Sequence, residues 1–512
     1  MTRFPEASRP TGPKEAFLAT LQEKYEIRHL QPWDLLWQIS RIPRQSKQEG
    51  PITTLMEKWA HQQGWITERD KVNNLLTHVP ATPGFENTPV TILHFHPDMV
   101  CKKEKDAPHD PAVNGVNLIV GKDGWIKANR TSAGFDDGAG LALTFSLATS
   151  EPHGRLMLLS TVDEDGDFTG INNLDFKAID DADLLINLDN ENVNEVTVGC
   201  AGGNKIHMEI PIKKEPVGDR ICLKLTLEGL MGGHSGMVIQ KKHTNAIKAM
   251  AQIARNTIGF AQLVSFTAGE TKTVNVIPNE AEIVIAVDRQ CISAVDRLIL
   301  ETARTIEGEA SPNEMINFKF TQSPISNEEK PIEMLTPEST NTILKTIEDL
   351  PHGVSEMNNV NVITSSNLAA VETSERIVTI GMMNRSANED TLSQIASEID
   401  TIAKRISATT QSLSRYSPWE PIYDSPLIRL AQTVRQRIKG SPYKIDVTHG
   451  GLELGIMVNR WPKLLGRAIA LGPTIEDPHS TKEKMLIRSV DEIYDVVAEL
   501  LKEIAGKGLP DN

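Results

Sequence analysis

The sequence predicts an α/β protein in which a mostly parallel sheet is interrupted by an inserted α+β domain. Apolar strand-like runs at 90–95, 156–159 and 184–188 are separated by helical periodicity, which is typical of a parallel sheet covered by helices. From residue 202 onward, alternating strands and long amphipathic helices indicate an antiparallel sheet with helices on one face.

Four segments follow from these changes of pattern. They are an N-terminal arm and helix (1–28), the first part of the sheet domain (29–201), the inserted domain (202–416) and the second part of the sheet domain (417–512). The proline-rich connector SPWEPIYDSP marks the return to the sheet domain.

Hydrophobic periodicity places the individual elements. In the sheet domain, helices are predicted over 14–26, 32–42, 138–147 and 427–439, and a further strand over 444–447. In the inserted domain, strands are predicted over 205–212, 221–230, 281–287 and 376–383, and helices over 245–255, 293–308 and 392–413.

Composition and charge limit the classes of molecule that this protein is expected to bind. A chain of 512 residues with 39% hydrophobic and 24% charged residues can bury a sizeable core in two or more domains. A net charge of −15 argues against nucleic acid and anionic membrane surfaces, so small molecules are the expected partners. Four dispersed cysteines without a Cys-x-x-Cys pair, and no apolar leader or spanning segment, indicate the reducing cytoplasm.

Histidine and carboxylate residues follow three predicted strands: His96 after TILHF, Glu164 after LMLLSTV and Asp189 after LLINL. Ligands of open α/β sheets gather at the carboxyl ends of the strands, and these side chains are suitable donors for a divalent cation. A lone histidine there is more often structural, but Asp98 could be the carboxylate partner that a metal-bound imidazole needs.

Taken one at a time, the acidic motifs favour ordinary structural interpretations. Asp136-Asp137-Gly138 could be an acidic helix start, and Asp163-Glu164-Asp165 a solvated turn. Calcium loops are disfavoured because Phe168 and Asn194 occupy positions where such loops need glycine.

Eight motifs occur together in a recognisable order: HFHPDMV, SAGFDDGAG, LSTVDEDG, LLINLDNEN, VGCAGG, LEGLMGGHSG, VTHGGLELG and LGPTIEDPHS. From about Leu30 to the C-terminus, the chain resembles the dinuclear zinc aminoacyl-histidine dipeptidases. The resemblance implies a zinc-exopeptidase catalytic domain, a lid or dimerisation domain as the insertion, and a cytoplasmic homodimer that hydrolyses dipeptides. Two Zn²⁺ ions are the implied cofactors, with Co²⁺ or Mn²⁺ as substitutes.

The resemblance also implies the site residues. His96 and Asp189 would bind one zinc, Asp165 and His479 the other, and Asp136 would bridge them. Glu164 would be the general base, Asp98 would orient His96, and His234 would donate to the oxyanion. The implied substrate contacts are Asn245, Asn275 and Arg385 for the carboxylate and Glu453 for the amine.

Several alternatives stay open at the level of sequence. Asn245 could be a helix N-cap, Asn275 a turn residue and Arg385 a surface charge. Asp163 could be the base and Glu164 the ligand, since an Asp replaces the second glutamate of the usual pair; Pro97, His94 and Asp137 are further departures. An N-acyl-amino-acid deacylase and a non-catalytic relative are the alternative functions.

Overall fold

The computed structural model describes residues 13–150, 152–271, 273–315, 317–326, 329, 331–358 and 361–509. The predicted arm before residue 13 lies outside them. The chain divides into two compact units. The first comprises the described residues up to Gly199, Trp419–Val447 and those from Leu452 onward, and the second comprises Cys200–Pro418 and Thr448–Gly451.

The first part of the chain alternates helices and strands. Its helices are α1 (Pro13–Tyr25), α2 (Leu30–Ser40), α3 (Gly50–Gln62), α4 (Pro111–Asn114), α5 (Phe135–Leu147) and α6 (Thr169–Asn172). Its strands are β1 (Ile66–Arg69), β2 (Leu75–Val79), β3 (Thr91–Phe95), β4 (Leu118–Val120), β5 (Trp125–Ala128), β6 (Leu156–Ser160), β7 (Leu184–Asn187) and β8 (Glu195–Cys200).

The second unit is richer in strands. They are β9 (Gly202–Pro211), β10 (Lys214–Pro216), β11 (Ile221–Glu228), β12 (Gly233–His234), β13 (Ala261–Ala268), β14 (Val276–Ile277), β15 (Ala281–Val287), β16 (Lys319–Pro324), β17 (Glu333–Leu335), β18 (Gly353–Met357), β19 (Val362–Thr373), β20 (Ile377–Ser386) and β21 (Thr409–Tyr416). The helices are α7 (Ser235–Val238), α8 (Ala246–Asn256), α9 (Ile292–Glu309), α10 (Pro312–Met315), α11 (Pro337–Asp349) and α12 (Glu389–Arg405).

The last part of the chain completes the first unit. It contains α13 (Pro426–Lys439), β22 (Lys444–Thr448), α14 (Glu453–Arg460), β23 (Ala468–Ala470), β24 (Ile475–Glu476), β25 (Lys484–Leu486) and α15 (Ile487–Lys507). The short strands β24 and β25 join β5 and β4 in a four-stranded sheet.

The main sheet of the first unit has the order β1-β2-β6-β3-β7-β23-β8-β22. Its central strands β6, β3, β7 and β23 run parallel, whereas β1, β2 and β8 pair antiparallel. Every residue of β3, β6 and β7 is buried, as expected for strands covered on both faces. The predicted α/β class is confirmed, with parallel pairing at the centre of the sheet.

The second unit is built on a nine-stranded antiparallel sheet in the order β16-β11-β15-β13-β19-β20-β9-β21, with β18 paired to β19. Buried residues of α8, α9, α11 and α12 form one apolar core with alternate residues of the strands. The predicted strand over 281–287 is confirmed as β15.

One predicted helix, 392–413, is wrong over its last third. Helix α12 ends at Arg405, Ser407 adopts a positive φ of 57°, and Thr409–Tyr416 form β21. The apolar period continues past Arg405, but the edge of β9 offers backbone partners to β21 along its length. Tertiary pairing therefore overrides the local helical pattern.

Among the described residues, no helix is long and apolar enough to cross a membrane.

Candidate metal centre

The parallel strands of the first unit deliver the predicted ligands to one edge of the sheet. His96 directly follows β3, which ends before Pro97; Asp165 follows β6 and Asp189 follows β7. Asp136 lies at the start of α5, and His479 lies in the loop between β24 and β25. Five segments distant in sequence thus converge.

Distances between the side chains define the centre. Nε2 of His96 lies 2.9 Å from Oδ1 of Asp136 and 3.5 Å from Oδ1 of Asp189. Nε2 of His479 lies 2.9 Å from Oδ2 of Asp136 and 2.7 Å from Oδ1 of Asp165. The structure therefore brings all five predicted ligands together, with Asp136 between the two histidines.

The donor set fits two divalent cations. Ligand atoms of Asp136, Asp165 and His479 lie within 4.8 Å of one another. Atoms of His96, Asp137 and Asp189 form a second such group, so Asp137 also borders the site. Imidazole nitrogen and carboxylate oxygen at this spacing are the donors of dinuclear sites.

Buried negative charge gives an electrostatic reason for a cation. Burial raises the pKa of Asp189 to about 7, and burial together with Asp189 raises that of Asp137 well above its usual range. Desolvation opposes protonation of His479, yet the carboxylates of Asp165 and Asp136 raise its pKa to about 12. Bound protons here offset carboxylate repulsion, and divalent ions would do so more strongly.

Glu164 and Asp163 face different surroundings. Burial and neighbouring carboxylates raise the pKa of Glu164 well above its usual range. Asp163 instead accepts a hydrogen bond from the hydroxyl of Thr169, lies 3.9 Å from Nζ of Lys47, and its N–H donates to Glu49. One carboxylate oxygen of Asp163 is thus bonded within its own turn, which favours Glu164 as the base.

Asp98 connects two parts of the centre. Its Oδ1 lies 3.4 Å from Nδ1 of His96 and accepts the backbone N–H of Glu164 at 3.2 Å. Its Oδ2 accepts the hydroxyl of Ser46 at 2.7 Å. Burial opposes its ionisation, but the contacts with His96 outweigh burial and lower the pKa of Asp98. The side chain can therefore orient the imidazole.

A buried glutamate that the sequence analysis missed supports Asp136. The carboxylate of Glu483, 2% exposed, accepts backbone N–H groups from Ala133 at 2.7 Å, Gly134 at 2.9 Å and Phe135 at 2.7 Å. A weaker fourth bond at 3.4 Å comes from Asp136 itself. Since Glu483 shares a loop with His479, it ties together two ligand-bearing segments.

Arg44 supports the same segment from the opposite side. Its buried guanidinium donates to the carbonyls of Pro97 at 2.9 Å and Asp98 at 2.6 Å, and to that of Gly134. Gly134 has a φ of +64°, and a Cβ there would lie 2.5 Å from Nη2 of Arg44. Glycine is needed for both reasons.

Three predicted residues lie close together in the second unit. His234 ends β12, and the N–H of Ser235 donates to the carbonyl of Asn275 at 2.7 Å. A Cβ on Gly236 would lie 3.0 Å from Cε1 of His234 and 3.3 Å from Cζ of Arg385. The glycine therefore lets an imidazole and a guanidinium flank the same short loop.

Arg385 is buried in β20 and is not a surface charge. Its Nη1 donates to the hydroxyl of Tyr416 at 2.7 Å. His449, which bonds Ser365 at 2.7 Å, has its pKa lowered to about 3 by burial and by Arg385. The VTHGGLELG motif contains His449, but the sequence analysis assigned a role only to Glu453.

Asn245 is the N-cap of α8. Its Oδ1 accepts the N–H groups of Ile247 at 2.9 Å and Lys248 at 3.1 Å, and Nδ2 donates to the carbonyl of Leu368 at 2.8 Å. Asn245 is therefore a helix N-cap, which is one of the two roles that the sequence allowed. Both Oδ1 and Nδ2 of its amide already have hydrogen-bond partners within the protein.

The chain was compared with known proteins. No family model matches it. Cytosol non-specific dipeptidase of Escherichia coli strain K12 is 31% identical over 497 residues, covering 94% of this chain and 100% of that protein. Aminoacylhistidine dipeptidase from Vibrio alginolyticus superposes with a TM-score of 0.77 at 28% identity, covering 97% of this chain and 98% of that one. A tripeptidase from Staphylococcus aureus shares the fold, with a TM-score of 0.57 at 18% identity and coverage of 94% and 99%.

Replacing Glu483 by glutamine should weaken metal binding by about 10–100-fold, the usual effect of losing a group that supports a ligand. The amide nitrogen of the glutamine would face backbone N–H donors where the carboxylate had an acceptor oxygen. The segment before Asp136 would therefore lose some of its hydrogen bonds. Metal titration of the stripped protein measures the change. Glu476→Gln is the matched control, because Glu476 is an exposed glutamate at the other end of the same loop, where it pairs with Lys484. Unchanged affinity in the Glu483 variant would contradict the anchoring role.

Proposed function

Because the chain belongs to the family of aminoacylhistidine (cytosol non-specific) dipeptidases, we propose that it hydrolyses dipeptides with free termini by means of two zinc ions. The observation that carries the proposal is the pairing of His96 and His479 with the two oxygens of Asp136, at 2.9 Å each. A carboxylate in that position can bridge two cations.

Each side chain of the centre has a proposed role. His96 and Asp189 would hold one ion and Asp165 and His479 the other, with Asp136 available to both. When bound, the metals would supply an activated water and a polarised scissile carbonyl. Glu164 would act as general base and then as general acid toward the leaving amine, while Asp98 keeps the ring of His96 in its orientation.

Zinc is the proposed metal because two imidazoles among carboxylates are a common zinc environment, and cobalt or manganese can use the same donors. The Escherichia coli relative is named as a cytosolic enzyme, and this chain has four free cysteines. We place the protein in the cytoplasm.

Further residues are proposed to contact the C-terminal half of the substrate. Arg385 is a buried guanidinium that can bind a carboxylate in bidentate fashion, and Asn275 lies beside the His234 loop. His234 donates to the oxyanion. Asn245 caps α8, and Glu453 binds the substrate amine.

Glu164→Gln should retain two metal equivalents yet lose at least about 100-fold in kcat, the scale of removing a general base. Metal analysis and steady-state kinetics on a dipeptide give both quantities. Asp163→Asn is the matched control, since Asp163 bonds Thr169 and not a ligand. If Asp163→Asn abolished turnover while Glu164→Gln shed metal, the two roles would be exchanged.

Blocking either terminus of the dipeptide should impair hydrolysis. Amidation of the carboxylate removes the partner of Arg385, so KM should rise and kcat should fall because the scissile bond loses its register. Rates for a panel of free, amidated and N-acetylated dipeptides test this. A preference for the acetylated members would instead identify an N-acyl-amino-acid deacylase.

A homodimer is the proposed assembly, with His234 of each chain serving the metal pair of its partner. Mixing inactive His234→Ala with inactive Glu164→Gln at equal amounts should form about half mixed dimers, each with one intact site. Activity should then recover to about a quarter of the wild-type value. No recovery in mixed dimers confirmed by mass would rule out supply from the partner.

A further inference from the structure

A buried chain of hydrogen bonds leads from the Asp189 segment to Glu453, and its first link is Asn187. Oδ1 of Asn187 accepts the backbone N–H of Asp189 at 3.1 Å. The amide nitrogen is therefore the atom that faces Nδ1 of His94, at 3.1 Å. Because Asn187 donates, Nδ1 accepts, and the ring proton of His94 lies on Nε2.

The proton on Nε2 of His94 sets the direction of the remaining hydrogen bonds. Nε2 of His94 lies 2.9 Å from the hydroxyl oxygen of Thr161 and 3.3 Å from Oε2 of Glu453. The hydroxyl of Thr161 then donates its proton to Oε2 of Glu453 at 2.5 Å. All four side chains are at most 3% exposed. These hydrogen bonds therefore all donate in one direction, from Asn187 towards Glu453, and the last one ends on Oε2 of Glu453.

The other oxygen of Glu453 has different surroundings. Oε1 is buried and, within the described parts of the chain, has no hydrogen-bond partner. Glu453 is the first residue of α14, and its charge acts on Glu164. A buried carboxylate oxygen without a donor is costly unless a ligand supplies one. A primary ammonium, with three donors and a positive charge, meets this need.

We propose that Thr161 and His94 are positioning residues that hold Oε2 of Glu453 so that Oε1 receives the primary ammonium of the substrate. The inference rests on the proposed dipeptidase function. It explains why the substrate of that reaction would need a free amino terminus. Neither residue contacts the substrate; both act through Glu453. Asn187 donates to Nδ1 of His94 and so keeps the ring proton on Nε2. It also accepts the backbone N–H of Asp189.

The alternative role for these residues is purely structural, as packing of the β3 and β6 ends. Valine at position 161 matches threonine in shape but removes the hydroxyl, whereas serine retains it. A packing role is served by valine and weakened by serine. A positioning role has the opposite preference, so the pair of variants separates the two.

The experiment compares wild type, Thr161→Val and Thr161→Ser, each loaded with zinc. KM and kcat are measured for a free dipeptide, and the inhibition constant for its N-acetylated form. Thr161→Val should raise KM for the free dipeptide by about 10–100-fold, the effect of losing a hydrogen bond to a charged group. The inhibition constant of the acetylated peptide and the content of two metals per chain should not change. Thr161→Ser should behave as wild type.

Two results would overturn the inference: equal losses for the free and acetylated peptides, or a wild-type KM in Thr161→Val. His94→Phe, which keeps a ring but removes the Nε2 donor, should reproduce the selective rise in KM and serves if Thr161→Val does not fold. Failure of the proposed function is distinct, because wild-type protein with two metal equivalents would then cleave no free dipeptide.

Discussion

Asp136 is held between His96 and His479, and much of the first unit serves to keep it there. Its two oxygens lie 2.9 Å from the two imidazoles, so a small rotation of this one carboxylate would separate the halves of the centre. Glu483 fixes the backbone before Asp136, and Arg44 joins that backbone to the turn after His96. The geometry of the centre is thus a property of main-chain anchors as much as of the ligands.

Those anchors have to oppose strong repulsion. Several carboxylates are buried close to one another, and burial, together with neighbouring carboxylates, raises the pKa values of Asp137, Asp165 and Asp189. A site of this kind is stabilised by cations and destabilises the metal-free fold.

Glu453 illustrates how the same unit can recognise a substrate terminus. One oxygen is fixed by Thr161, and the other is buried without a donor among the described residues. Recognition of an amine at such a point does not require a surface pocket; it requires that the carboxylate cannot turn away. The N–H of Asp189 donates to Asn187, so hydrogen bonds connect Glu453 with the segment of a candidate metal ligand.

By itself, the sequence determined the α/β class and the placement of the candidate ligands. Fully buried strands such as β3 and β7 are followed within two residues by His96 and Asp189, and a parallel sheet brings such positions to one edge. Strand β15 was likewise predictable from its apolar run. The end of α12 was not predictable, because local periodicity carries no information about the pairing of β21 with β9. Only the tertiary structure decided the roles of Glu483 and Arg44. Their partners are backbone N–H and carbonyl groups, which every residue carries and which therefore leave no mark in the sequence.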